Sequence, residues 1–263
     1  MMDIPTESPV DPSMALIRQL VTEYIIFPLG SELCRTRFKT NTSSFLFYGP
    51  QGTGKTLVIR AIVSETNSIF FDMSPINIDG KYSDKKGEEK LIASVMVTAK
   101  EYQPSVIYID ECEKVWPAKK KGKKGKKGGK KKKASDPSNP ARIKKALAKW
   151  KTKFLDADNT IRVTIIGCTS EPTEATMKDL KKFFAAGTSK FNAIYFPCPD
   201  YTTLRMMWKT FIERYGGSLK TEFPLSTLAQ ISLGYSAGSI KKTCEKVLTD
   251  FRVNSLEQRP LTI

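Results

Sequence analysis

The stretch S-F-L-F-Y-G-P-Q-G-T-G-K-T, Ser44–Thr56, decides how the rest of the chain is read. A short apolar run, Phe45-Leu46-Phe47-Tyr48, enters the turn Gly49-Pro50-Gln51-Gly52-Thr53-Gly54, which ends in Lys55-Thr56 and a helical segment, Leu57–Glu65. The order is strand, loop, helix. In the pattern G-x-x-x-x-G-K-[ST] each fixed position has a physical task. Without Cβ atoms, Gly49, Gly52 and Gly54 let the backbone wrap an anion and aim successive N–H groups inward. The following helix turns its partial positive end toward the same anion. Lys55 adds a full charge near the β- and γ-phosphates, and the Thr56 hydroxyl is a ligand for Mg2+. The stretch therefore predicts a nucleoside triphosphate site, ATP with Mg2+, at Gly49, Pro50, Gln51, Gly52, Thr53, Gly54, Lys55, Thr56 and Leu57.

A second element supports it. Val106-Ile107-Tyr108-Ile109 is a continuous apolar run, as expected of a strand buried on both faces of a parallel sheet, and it ends directly in Asp110-Glu111. Ligands bind open parallel sheets beyond the carboxyl ends of their strands. Asp110 is thus expected beside the phosphate loop, holding Mg2+ directly or through water, with Glu111 polarising an attacking water. The chain contains no histidine, so acid-base work falls to carboxylates or lysines. The five cysteines, Cys34, Cys112, Cys168, Cys198 and Cys244, include no C-x-x-C pair, which argues against zinc and disulfide frameworks.

At 263 residues, 40% hydrophobic and 27% charged, the chain has the composition of an ordinary globular protein with a full core. No apolar run approaches the ~20 residues that span a bilayer. The acidic, proline-containing start Met1–Pro12 does not read as a signal peptide. The expected compartment is the cytosol or something continuous with it. The net charge of +16 is localised: Lys119–Lys133 holds eleven lysines among four glycines, leaving +5 on the rest.

Along the chain, residues 1–13 read as a flexible lead-in. Met14–Phe27 places Leu16, Leu20, Tyr24 and Phe27 at helical spacing and is expected to end at Pro28. Ile69–Asp72, Arg162–Gly167 and Ala193–Phe196 are further strand candidates, and Gly87–Tyr102, Asn139–Ala157 and Thr173–Phe184 read as helices. The alternation predicts an α/β fold, a parallel sheet with helices on both faces. The lysine-glycine insertion at 118–135 cannot bury apolar surface and is expected to be disordered. From Asp200 the pattern is helical: Tyr201–Tyr215, Ser226–Ser232, and Ser239–Phe251 with Ile240, Cys244, Val247 and Phe251 aligned. The expected division is 14–198 as the nucleotide-binding subdomain and 199–255 as a helical subdomain.

Phe45–Thr56, Val106–Glu111, the G-C-T-S-E-P of Gly167–Pro172 and the Y-S-A-G-S-I-K-K of Tyr235–Lys242 resemble, in order and spacing, the AAA family of P-loop ATPases. The resemblance implies an αβα sandwich with a five-stranded parallel sheet, a small C-terminal helical lid, and often a ring in which a neighbour supplies arginine fingers. Lys55, Thr56, Asp110 and Glu111 match the family pattern. Ser170 stands where the first sensor is usually asparagine. The finger segment corresponds to Gly187–Asn192, where the first arginine is absent and the second is Lys190, with Lys181 and Lys182 as alternative basic partners. An arginine finger contributes roughly 10³–10⁵ in rate through a bidentate clamp that lysine lacks. Binding is expected to survive and hydrolysis to be weak. Tyr82 falls where unfoldases of the family carry an aromatic pore-loop residue.

The substituted finger and the lysine tract after the second nucleotide motif also resemble the IQ-motif and AAA-domain-containing proteins. That family includes a subunit of the nexin-dynein regulatory complex of motile cilia and flagella. It implies cytoskeletal, axonemal partners and a homo- or hetero-oligomer, while no IQ motif is visible here. The tract itself has three readings: a neutral insertion, a tether to acidic polymers such as tubulin tails, or a contact with nucleic acid. The absence of interleaved aromatic residues disfavours the last, and nothing in the tract anchors it to a membrane. Three functions follow: an ATP-binding regulatory or scaffold subunit of an axonemal assembly, an active remodelling ATPase using Glu111 and Tyr82, or a nucleic-acid-associated ATPase.

Overall fold

The computed structural model describes residues 11–37, 42–82, 86–117, 139–158, 160–170, 174–186, 190–219, 223–256, 259 and 261. The lysine tract and insertion expected at 118–135, and the lead-in before residue 11, lie outside them. In chain order the elements begin with α1 (Met14–Val21), a π-helical turn (Thr22–Ile26), α2 (Phe27–Gly30), α3 (Glu32–Arg37), β1 (Ser44–Tyr48), α4 (Lys55–Thr66) and β2 (Ile69–Asp72). Next come α5 (Pro75–Ile78), α6 (Gly87–Glu101), β3 (Ser105–Ile109), α7 (Cys112–Val115), α8 (Ile143–Trp150), β4 (Val163–Thr169) and α9 (Glu174–Phe184). The chain continues through β5 (Ala185–Ala186), β6 (Lys190–Phe191), β7 (Ala193–Tyr195), α10 (Tyr201–Arg214), α11 (Leu225–Ile231), α12 (Ala237–Val247) and α13 (Asp250–Asn254). Two compact units result: Leu20–Gly49 with Lys55–Ile194, and Met1–Gln19 with Pro50–Gly54 and Tyr195–Ile263.

The first unit is built on a five-stranded parallel sheet of order β2-β3-β4-β1-β7. β1 pairs with β4 from Ser44↔Ile165 to Tyr48↔Thr169, and β3 pairs with β4 from Ser105↔Val163 to Ile109↔Gly167. These central strands are apolar without alternation because both faces are covered. Leu46, Ile107, Ile109 and Ile165 join one core cluster with Ile92 and Met96 of α6, Leu147 of α8, Leu180 of α9 and Trp116. Each such side chain contributes about 1.5–3 kcal/mol on burial. On β4, Gly167 makes room for this layer: a Cβ there would stand 2.7 Å from Cys112 Sγ and 2.5 Å from the Phe184 ring.

In the second unit, Leu204, Trp208, Ile212, Ala229, Ile240, Cys244 and Leu248 form a separate core. Asp200 starts α10 as expected, its carboxylate accepting the Thr203 N–H at 3.1 Å. The buried Trp208 Nε1–H donates to Ser232 Oγ at 3.0 Å, and Ser232 Oγ donates to the Leu228 carbonyl at 2.6 Å, so the indole is satisfied inside the core.

Three expectations are corrected. The buried face of the first helix is Ile17, Val21, Ile25 and Leu29; Leu16, Tyr24 and Phe27 are exposed and Leu20 is half-buried. Both sets have helical spacing, offset by one residue at the first three positions, and packing selects the one that carries Ile17, Val21 and Ile25. The helix also does not end at Pro28. The π turn closes with the Phe27 N–H on the Thr22 carbonyl, and the helix carries on through Pro28 into α2. Finally, Ser239–Phe251 is not one helix. α12 stops at Val247, Leu248 turns inward, and Thr249 begins α13, leaving Phe251 84% exposed.

Candidate nucleotide site

The glycine loop leaves β1 at Gly49 (φ 144°) and runs through Gly52 (φ 82°) and Gly54 (φ 97°) into α4. At Gly54 an added Cβ would meet nothing within 4 Å, so the left-handed backbone alone demands glycine there. In the first unit, Lys55 opens α4 with 6% exposure, and its Nζ donates to the Gly49 carbonyl at 2.8 Å. Burial pushes the Lys55 pKa down, while nearby Cys168, Asp110 and Glu113 pull it back up. An ammonium held in this way suits a phosphate anion.

Within the other unit, Gly52 meets the start of α12. The Gly238 N–H donates to the Gly52 carbonyl at 2.9 Å, and a Cβ on Gly52 would stand 2.7 Å from Ser236 Oγ. Ser236 caps α12, accepting the Ser239 N–H at 3.2 Å. Thr53 Oγ1 donates to the Pro50 carbonyl at 3.0 Å, while Pro50 and Gln51 are exposed. Gly238 was not singled out from the sequence, although a glycine in the first turn of a helix is a sign of close backbone approach.

Thr56, exposed in the first turn of α4, has its Oγ1 3.3 Å from the Tyr108 hydroxyl. Leu57 beside it is 70% exposed. Asp110 follows β3 directly. Its N–H donates to Ser74 Oγ at 3.1 Å, and Ser74 Oγ donates to Asp72 Oδ1 at 2.5 Å, so the ends of β2 and β3 are tied together. Burial, with Cys168 nearby, holds Tyr108 as a neutral phenol well above its ordinary range. Tyr108, Ser74 and Asp72 were not identified from the sequence. A period of two counted back from Asp110 puts Tyr108 on the same strand face, which is the available signal.

Glu111 adopts left-handed backbone (φ 45°, ψ 50°), and its N–H donates to Asp110 Oδ1 at 2.9 Å. Its half-exposed carboxylate pairs with Lys114 Nζ at 2.6 Å, which raises the Lys114 pKa. Glu113, also not singled out from the sequence, has a buried carboxylate oxygen without a hydrogen-bond partner among the described residues. Ser170 follows β4 where the register sets Thr169 against Tyr48, and so stands level with Gly49. Lys190 lies in β6, whose backbone pairs antiparallel with β5 (Ala186↔Lys190); Gly187–Ser189 lie outside the described residues. Lys181 and Lys182 are exposed in the last turn of α9.

Tyr82 is 51% exposed with φ 55°. Arg142 clasps the segment before it, donating to the carbonyls of Tyr82 (3.1 Å), Ile78 (3.0 Å) and Lys81 (2.5 Å). A cleft of about 390 Å3 beside this clasp is lined by Pro75, Ile76, Glu111, Lys114 and Arg142 among others. The Thr56 hydroxyl and Asp110 carboxylate are hard oxygen donors of the kind Mg2+ takes, one or two from protein with phosphates and water completing the shell. Among the described residues, no three His, Cys, Asp or Glu side chains gather as a metal cluster, and no helix is long and apolar enough to cross a membrane.

A five-stranded parallel sheet with a glycine loop after β1 and an acidic pair after β3 defines a nucleotide-binding α/β protein. The chain belongs to the AAA family of ATPases: the model of the "ATPase family associated with various cellular activities (AAA)" matches residues 45–185. Family membership implies nucleotide binding. The chain is 32% identical over 256 residues to "Dynein regulatory complex protein 11" of Mus musculus, covering 95% of this chain and 27% of that protein. It is 26% identical over 231 residues to "Spastin" of Homo sapiens, covering 86% of this chain and 33% of that protein. It thus spans about a quarter to a third of these curated relatives. The crystal structure of the FIGL-1 AAA domain in complex with ADP matches with a TM-score of 0.65 at 19% identity, covering 97% of this chain and 81% of that one.

Proposed function

We propose that this chain is the ATP-binding AAA module of a regulatory or scaffold protein of the ciliary or flagellar axoneme, with weak or conditional hydrolysis. The observation that carries the reading is the similarity, across 95% of the chain, to a dynein regulatory complex protein. In this reading residues 14–198 are the nucleotide-binding subdomain and 199–255 a small helical subdomain. Gly49, Pro50, Gln51, Gly52, Thr53, Gly54 and Leu57 surround the phosphates, Lys55 neutralises them, and Thr56 and Asp110 hold Mg2+. When bound, Mg2+ supplies charge that offsets the β- and γ-phosphate oxygens.

Weak hydrolysis is supported by the residues that would act on water. Glu111 is engaged by Lys114, Ser170 is shorter than an asparagine, and Lys190 offers charge without a guanidinium fork. Lys119–Lys133 serves as an electrostatic tether to acidic surfaces, tubulin tails among them, in a cytoskeletal location. A second reading, an active remodelling ATPase working through Tyr82, is favoured by one observation: Glu111 directly follows Asp110 at the end of β3 with its carboxylate half-exposed.

Sedimentation of the chain with isolated axonemes tests the assignment. The chain is expected to pellet with axonemes at low salt and to lose most of that binding at high salt or when Lys119–Lys133 is deleted. Absence from the pellet at every salt concentration contradicts it.

A further inference from the structure

Tyr108 and Asp110 leave the same face of β3, two residues apart. Tyr108 is 4% exposed, and its ring stacks on Phe70 with centroids 5.6 Å apart, which fixes where the hydroxyl lies. That hydroxyl is 3.3 Å from Thr56 Oγ1. A phenylalanine would fill the same space, so packing alone does not call for the oxygen. Threonine in a helix divides between two χ1 rotamers, one of which turns its hydroxyl back onto a backbone carbonyl. A fixed neighbour removes that freedom.

We propose that Tyr108 is a positioning residue of the nucleotide site: its hydroxyl holds the Thr56 hydroxyl in the rotamer that faces the Asp110 end of β3, so that two Mg2+ ligands are set before nucleotide arrives. The proposal rests on the assignment of Thr56 and Asp110 as the metal ligands. Its consequence is specific. Tyr108 supports the part of nucleotide affinity that depends on Mg2+, and leaves alone the part supplied by the glycine loop and Lys55.

Equilibrium binding of a fluorescent ATP analogue, measured in Mg2+ and in EDTA, tests this for wild type, Tyr108→Phe, Thr56→Val and the double variant. The gain in affinity on adding Mg2+ is expected to fall about five-fold in Tyr108→Phe, the worth of one net hydrogen bond, with affinity in EDTA unchanged. In the Thr56→Val background, Tyr108→Phe is expected to cost less than it does in wild type, since only the contact of the hydroxyl with Asp110 is left to lose. Equal losses with and without Mg2+, an undiminished Mg2+ gain in Tyr108→Phe, or additive effects in the double variant would overturn the proposal. Failure of the wild type to bind the analogue at all would instead overturn the nucleotide-site reading beneath it.

Discussion

Two sides of the candidate site are built differently. On the metal side, Thr56 meets a buried tyrosine, and Asp110 is tied through Ser74 to Asp72 on the neighbouring strand. On the water side, Glu111 sits in a left-handed turn, half-exposed, with its carboxylate drawn to a surface lysine. The first arrangement is held by packing and by strand register. The second is held by one exposed ion pair of the kind that solvent and salt readily loosen. On the proposed reading, packed contacts surround the residues that would hold nucleotide and metal, while the residue that would activate water is held by an exposed ion pair.

The strongest way to break this contrast is at Lys55. Lys55→Met is expected to weaken ATP binding by roughly 10- to 100-fold, the worth of a charged hydrogen bond to phosphate, measured by titration calorimetry. The same variant has a signature without ligand. Burial lowers the folded pKa of Lys55 below 10.5, so above the folded value the unfolded chain binds the extra proton. Lys55 therefore costs stability most below its folded pKa, and that cost is relieved as pH rises through it toward 10.5. The stability gap between Lys55→Met and wild type should narrow over that window. A gap that widens with pH contradicts the buried placement.

The roughly five-fold loss of Mg2+ gain expected in Tyr108→Phe is the intermediate effect, and it sharpens the metal side alone. The smallest lies on the other side. Lys114→Ala releases Glu111 and is expected to raise any ATP turnover by no more than about five-fold while leaving affinity unchanged. Turnover that falls instead would make Lys114 a partner in hydrolysis and weaken the contrast.

The glycine loop between strand and helix was legible in the sequence because its demands are local: a positive φ at Gly54 and a lysine at the start of a helix are properties of adjacent residues. The central strands were legible too, since burial on both faces leaves uninterrupted apolar runs at Phe45–Tyr48 and Val106–Ile109. Side-chain choices across the fold were not. Leu16-Leu20-Tyr24-Phe27 and Ile17-Val21-Ile25-Leu29 satisfy the same periodicity, and only the packed partners decide between them. Phe251 continued a helical stripe on paper, yet Thr249 restarts the helix and turns it outward. Tyr108 read as strand filler because its hydroxyl partner, Thr56, is fifty-two residues away in the chain.

ATP affinity and ATP turnover, measured side by side for wild type and Glu111→Gln across a range of protein concentration, test the central claim most directly. The expected result is tight binding in both proteins with slow turnover that does not rise with concentration. Turnover that climbs steeply as the protein assembles and vanishes in Glu111→Gln would contradict the account and establish a working ring ATPase.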